Sequence, residues 1–87
     1  MVTQKTRITN PTGLHLRPAG LFCKTAMRFQ CSVTFRSKNT TANAKSILSI
    51  LGSCIKMDDE IEIICDGPDE EEAMKELIRV IEAGLGE

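Results

Sequence analysis

The pattern of segments predicts an α+β fold of two layers, an open-faced sandwich with a sheet on one side and helices on the other. Three observations predict it. Four segments alternate apolar and polar residues with a period of two, and three others carry helical spacing or helix caps. Their order along the chain is strand, helix, strand, strand, short helix, strand, helix. The outward residues of the strands are mostly polar, so one sheet face meets water and the other carries the helices.

The first strand spans Val2 to Thr9, with Thr3, Lys5 and Arg7 on one face and Thr6 and Ile8 on the other. Asn10-Pro11-Thr12-Gly13 ends it, and Gly13 suits a tight reversal of the backbone. The first helix is expected from Leu16 to Phe29, because Ala19, Phe22, Ala26 and Phe29 fall at three-four-three spacing. Pro18 fits its first turn, where a missing N–H costs least. Gly20 weakens this helix by about 1 kcal/mol relative to alanine, or leaves room for a partner to approach.

The second strand runs from Cys31 to Arg36, with Val33 and Phe35 inward. Ser37-Lys38-Asn39 reads as a hairpin turn and Thr40 to Ala42 as a short third strand. Ser46 before Ile47, Leu48, Ile50 and Leu51, with Gly52 after them, describes a short capped helix. Lys56 to Asp59 is a polar turn, and Glu60 to Cys65 is the fourth strand with Ile61, Ile63 and Cys65 on one face. Asp66-Gly67-Pro68 turns the chain. Asp69 and Glu72 have the spacing of a capping box for the last helix, whose apolar side is Ala73, Met74, Leu77, Ile78 and Ile81 and whose stop is Gly84.

With 87 residues the chain is expected to be one domain, residues 1–87, around one modest core. Eleven basic and twelve acidic side chains argue against a nucleic-acid partner, which calls for a strongly basic surface. The apolar runs are too short to enter a bilayer, and the N-terminal residues carry no apolar signal region, so a cytoplasmic location is expected. The four cysteines, at 23, 31, 54 and 65, form no Cys-x-x-Cys pair and read as small apolar residues in a reducing compartment. No metal and no cofactor are expected.

The candidate site is Gly13-Leu14-His15-Leu16-Arg17-Pro18-Ala19, which holds the only histidine. The helical spacing that follows places His15 at a helix N-terminus, where the first backbone N–H groups lack internal partners. The amides of Leu16 and Arg17 are then free to hold an anion. A neutral imidazole is a good nucleophile near neutral pH, and a phosphorylated ring nitrogen remains a good donor. The helix end disfavours imidazolium and, with the Arg17 guanidinium, favours a phosphoryl group on the ring. A histidine on a surface turn with no role is the plain alternative.

The residues 13–19 resemble the active-site signature of HPr, the histidine-containing phosphocarrier of the bacterial sugar phosphotransferase system. Asn43-Ala44-Lys45-Ser46-Ile47-Leu48 resembles the family's second signature, around a regulatory serine, and Asp66 to Ala73 with Gly84-Leu85-Gly86 resembles its last turn and helix. The resemblance implies a four-stranded antiparallel sheet with three helices on one face, in the order βαββαβα, a strand arrangement that the pattern alone does not fix. It implies that His15 takes a phosphoryl group from enzyme I and passes it to the A domains (EIIA) of sugar-specific transport proteins, with Arg17 neutralising the phosphate.

It implies further that Ser46 is a target of a dedicated kinase, HPr kinase/phosphorylase, and so a link to a catabolite-control repressor. Taken as a plain residue, Ser46 is a helix N-cap, and the two roles are compatible. The expected docking surface holds Gly20, Lys24, Met27, Ile47, Leu48 and Leu51, with Lys24, Lys45 and Arg17 as a positive rim for acidic partners. Leu16, Gly20 and Met27 depart from residues common in relatives, which bears on partner preference and not on phosphoryl chemistry. A monomer is expected. Two other readings are a carrier of the nitrogen-regulatory branch, which the intact Lys45-Ser46-Ile47 stretch disfavours, and a non-catalytic co-effector of a repressor. Relatives of the last kind lack the active histidine, and this chain has it.

Overall fold

A computed structural model describes residues 1–38 and 40–87. The strands are β1 (Val2–Arg7), β2 (Ser32–Ser37), β3 (Thr40–Asn43) and β4 (Glu60–Asp66). The helices are α1 (Leu16–Met27), α2 (Ile47–Gly52) and α3 (Glu70–Glu82). All seven expected elements form, in the expected order. The four strands make one sheet in the order β1-β4-β2-β3, and every neighbouring pair is antiparallel.

Register follows from the apolar alternation. Phe35 faces Ile63 and Val33 faces Cys65 across β2 and β4, and all four are buried on the helix side. Lys5 and Arg36 flank Glu62 on the other face, where Arg36 pairs with the Glu62 carboxylate. A one-residue slip would exchange these two sets, burying charge and exposing the core. Phe22 from α1 meets Phe35 edge to face, with ring centroids 5.6 Å apart. That contact, worth about 0.5–1.5 kcal/mol beyond burial, locks the helix carrying the site onto the sheet. Helix α1 also packs against α2 and α3, while α3 covers β4 and β1.

Several boundaries differ from expectation for identifiable reasons. Strand β1 stops at Arg7 because Ile8 leaves the ladder: its N–H donates to Asp59 O at 2.9 Å and its carbonyl accepts from Asp58 N at 2.6 Å. Helix α1 stops at Met27, two residues early, because the N–H groups of Arg28 and Phe29 turn to the carbonyls three residues back, those of Thr25 and Ala26. Strand β2 is shifted one residue forward, and β3 and β4 each run one residue further. The hairpin expected at Ser37-Lys38-Asn39 includes Asn39, which lies outside the described residues; Lys38 takes a left-handed φ of 52°.

The capping box expected at Asp69 and Glu72 does not form. Asp69 is the N-cap residue of α3, but its carboxylate turns away from the helix. It accepts from Gln30 N at 2.8 Å and Cys31 N at 2.9 Å, so it ties α3 to the α1–β2 link. Glu70 reaches back instead, accepting from Gly67 N at 3.0 Å. The far end of α3 closes as a Schellman motif: Gly84 N donates to Ile81 O and Leu85 N to Val80 O, both at 3.0 Å, with Leu85 buried. Gly86 at φ 83° then passes the chain across Leu21 of α1 toward the residue 10–15 turn.

Candidate functional site

The turn before α1 is held from several sides. Gly13 has φ 64°, and a Cβ there would sit 2.5 Å from Ile55 O and 2.7 Å from Lys56 Cα, so only glycine fits. This close approach lets Leu14 N donate to Ile55 O at 3.0 Å and buries the Leu14 side chain. His15, next in sequence, is thereby thrown outward as the N-cap residue of α1. It is exposed, its backbone is extended, and its side chain makes no capping hydrogen bond.

The first turn of α1 has no acidic residue of its own, and Arg17 lies within it, exposed. Ala19 N donates to His15 O at 2.8 Å, and Pro18 has no N–H, which leaves the amides of Leu16 and Arg17 as the open donors of the helix end. An anion attached to the His15 ring would sit at the open N–H groups and positive dipole end of α1, with the Arg17 charge in the same turn. Beside the ring lies a shallow cleft of about 380 Å³ lined by Thr12, Leu14, His15, Leu51, Cys54, Ile55 and Lys56.

Helical spacing sets the expected docking residues of α1 in a row. Leu16, Gly20, Lys24 and Met27 follow one stripe of α1, with Leu16 62% and Met27 61% exposed. Gly20 has open space above it: a Cβ would meet nothing within 4 Å. Across the α1–α2 contact, Leu48 is 82% exposed, while Ile47 and Leu51 are half-buried against the core. Leu16, Met27 and Leu48 are thus exposed apolar side chains on α1 and α2, and Leu16 directly follows His15. Lys45 departs from the expected rim, because its Nζ donates to Phe29 O at 2.6 Å and caps the frayed end of α1.

Ser46 is the N-cap of α2, its Oγ accepting from Ser49 N at 3.2 Å. The Ser49 hydroxyl in turn accepts from Asn43 N at 2.8 Å. The four cysteines are free thiols, buried except Cys54. Burial pushes the Cys65 thiol up to about 12 and raises that of Cys31. Among the described residues no cluster of His, Cys, Asp or Glu suits a metal ion.

Sequence reasoning missed one part of the site. Glu87 folds back onto the turn, its carboxylate accepting from Asn10 Nδ2 at 2.9 Å, Thr12 N at 3.2 Å and Thr12 Oγ1 at 2.8 Å. Those bonds, led by Asn10 and aided by the Arg17 charge, hold its carboxyl below the usual carboxylate range. The only signal in the sequence was the Gly84-Leu85-Gly86 turn, which shows that the chain reverses there but not what it meets.

The family model described as PTS HPr component phosphorylation site matches residues 2–83. The HPr-like protein Crh of Bacillus subtilis is 35% identical over 82 residues, covering 94% of this chain and 96% of that protein. The phosphocarrier protein HPr of Chlamydia muridarum is 38% identical over 80 residues, covering 92% and 77%. Among solved structures, HPr from Thermoanaerobacter tengcongensis superposes with a TM-score of 0.97 at 39% identity, covering 100% of this chain and 98% of that one. With its signature histidine at the N-terminus of α1 and near-complete coverage of both chains, the protein belongs to the HPr family of phosphocarriers.

Proposed function

We propose that this protein carries phosphoryl groups on His15, taking them from phosphorylated enzyme I and passing them to EIIA domains for sugar uptake. The observation that carries the reading is the exposed, uncapped His15 at an α1 terminus with open amides at Leu16 and Arg17 and an exposed Arg17 side chain in its first turn. In the first transfer a ring nitrogen of neutral His15 attacks phosphorus, a new N–P bond forms, and the N–P bond on the donor histidine breaks. The donor imidazole leaves with its electron pair. The helix-end amides and Arg17 offset the charge on the transferring oxygens. The second transfer is the same step reversed onto another histidine. A deep pocket is not needed, because the reacting group arrives on the surface of another protein.

The apolar patch of Leu16, Met27 and Leu48 suits docking of that partner, and Lys24 adds a positive edge. Ser46 is proposed as a regulatory phosphorylation site: a phosphate there sits at the start of α2 and places negative charge on the docking face. Likeness to the HPr-like protein Crh favours a second reading, a regulatory module acting through Ser46, and the presence of His15 supports carriage over it. We propose a single cytoplasmic domain acting as a monomer; one relative, HPr of Thermoanaerobacter tengcongensis, has also been crystallised as a dimer.

The test is incubation with enzyme I and labelled phosphoenolpyruvate. An acid-labile, base-stable label on the wild type and none on His15→Ala is the expected outcome. Full labelling of His15→Ala sinks the reading.

A further inference from the structure

We propose that Asn10 is a positioning residue for phosphoryl transfer, a clasp that fixes the His15 turn by holding the Gly13 carbonyl and the Glu87 carboxylate with the two hydrogens of one side-chain amide. The proposal rests on the carrier reading and adds to it a residue that itself never meets phosphate.

Asn10 is only 3% exposed. Its Nδ2 donates to Gly13 O at 2.8 Å and to Glu87 Oε1 at 2.9 Å, and the Asn10 backbone carbonyl accepts from Gly13 N at 3.1 Å. Both amide hydrogens are therefore committed to acceptors. Turning the amide over would set Oδ1 against two oxygens, so the neighbours dictate its orientation. Oδ1 has no partner among the described residues, so all the side chain's bonding runs through Nδ2.

The clasp acts where the ring of His15 is placed. His15 makes no capping bond of its own, so its position is inherited from the backbone of residues 10–14. That backbone has three ties beyond its own internal bond: Asn10 to the Gly13 carbonyl, Ile55 to Leu14, and Glu87 to Thr12. Asn10 takes part in the first directly. It takes part in the third through Glu87, because the same carboxylate oxygen, Oε1, accepts from Asn10 Nδ2 and Thr12 N. Transfer needs the ring nitrogen in line with a phosphorus on another protein, and a misplacement of about 1 Å costs about 100-fold.

The experiment measures kcat and KM of enzyme I acting on Asn10→Ala, Asn10→Asp, Glu87→Ala and the double variant Asn10→Ala/Glu87→Ala, with Tm alongside. We expect Asn10→Ala to lower kcat about tenfold with KM within about twofold, since the buried side chain touches no partner but sets the geometry of attack. Asn10→Asp, of the same shape but facing two acceptors with oxygens, should be at least as slow. Glu87→Ala should lower kcat by about threefold, and the double variant should be no slower than Asn10→Ala, because members of one network are not additive. A folded Asn10→Ala with wild-type kcat overturns the proposal, as does a change in KM alone or strictly additive effects. If Asn10→Ala does not fold, wild-type kcat in Glu87→Ala overturns it and a reduced kcat at unchanged KM upholds it. An unlabelled wild type overturns the carrier reading and this proposal with it, whereas a labelled wild type beside unaffected variants overturns the clasp alone.

Discussion

Gly13→Ala and Gly20→Ala make the same chemical change seven residues apart, and the structure assigns them opposite signs. At Gly13 the backbone has φ 64°, which costs a residue with a Cβ about 1–2 kcal/mol. The new Cβ would also stand 2.5 Å from Ile55 O, 2.7 Å from Lys56 Cα and 2.9 Å from Lys56 C. All three are backbone atoms, so no side chain can swing aside. Moving the α2–β4 link away adds about 1–3 kcal/mol of packing strain and stretches the bond from Leu14 N to Ile55 O. The expected loss is about 2–5 kcal/mol, or a fall in Tm of at least about 10 °C for a domain of this size. Gly20 is helical and open above, so alanine there should gain about 1 kcal/mol and raise Tm by about 4–8 °C. Thermal unfolding followed by circular dichroism reads both. A Gly13→Ala protein melting within about 3 °C of wild type would refute the close-approach argument.

Much of this fold was legible because its signals are local. Val33, Phe35, Ile61, Ile63 and Cys65 alternate in sequence and alternate in space, and each lies buried. Ser46 reads as a cap and is one. What failed to be legible depends on partners distant in the chain. Asp69 has the sequence of a capping residue, yet Gln30 and Cys31, 39 and 38 residues away, present two amides to its carboxylate. The Cys31 amide belongs to a buried residue and has no other outlet, while the first-turn amides of α3 can reach water, so the distant pair wins. Lys45 is captured in the same way by the carbonyl of Phe29. At the site, the place of His15 and Arg17 at the start of α1 was readable from the helical spacing that follows them. The clasp of Asn10, Thr12 and Glu87 was not, since its members are 75 and 77 residues apart and no periodicity links them.

Arg17→Ala should lower the rate of transfer under saturating enzyme I more than it raises KM, and Arg17→Lys should recover only part of the rate, because a point charge replaces a planar fork; equal maximal rates for wild type and Arg17→Ala would remove the guanidinium from the mechanism. Acid stability follows from carboxylates held below their ordinary values, Asp69 chiefly by the Gln30 amide and Glu70 chiefly by the Gly67 amide. A depressed folded pKa gives stability that is complete above the ordinary values of 3.8 and 4.5 and is lost as pH falls below them. Tm should therefore be flat between about pH 5 and 8 and drop below that range, and Asp69→Asn should flatten the acid drop; parallel curves for the two proteins would contradict this. Ser46 separates a cap from a switch. Ser46→Ala loses the acceptor for Ser49 N and with it about 1 kcal/mol, or about 4–8 °C in Tm, while transfer stays normal. Ser46→Asp keeps an acceptor and adds a negative charge at the positive end of α2, so its Tm should hold. That charge also lies on the α2 side of the surface formed with Leu48 and the α1 stripe, where an acidic partner drawn to Arg17 and Lys24 would approach. Ser46→Asp should then raise the KM of enzyme I, and the rise should shrink as salt screens the repulsion. Wild-type KM at low salt would leave Ser46 a helix cap and nothing more.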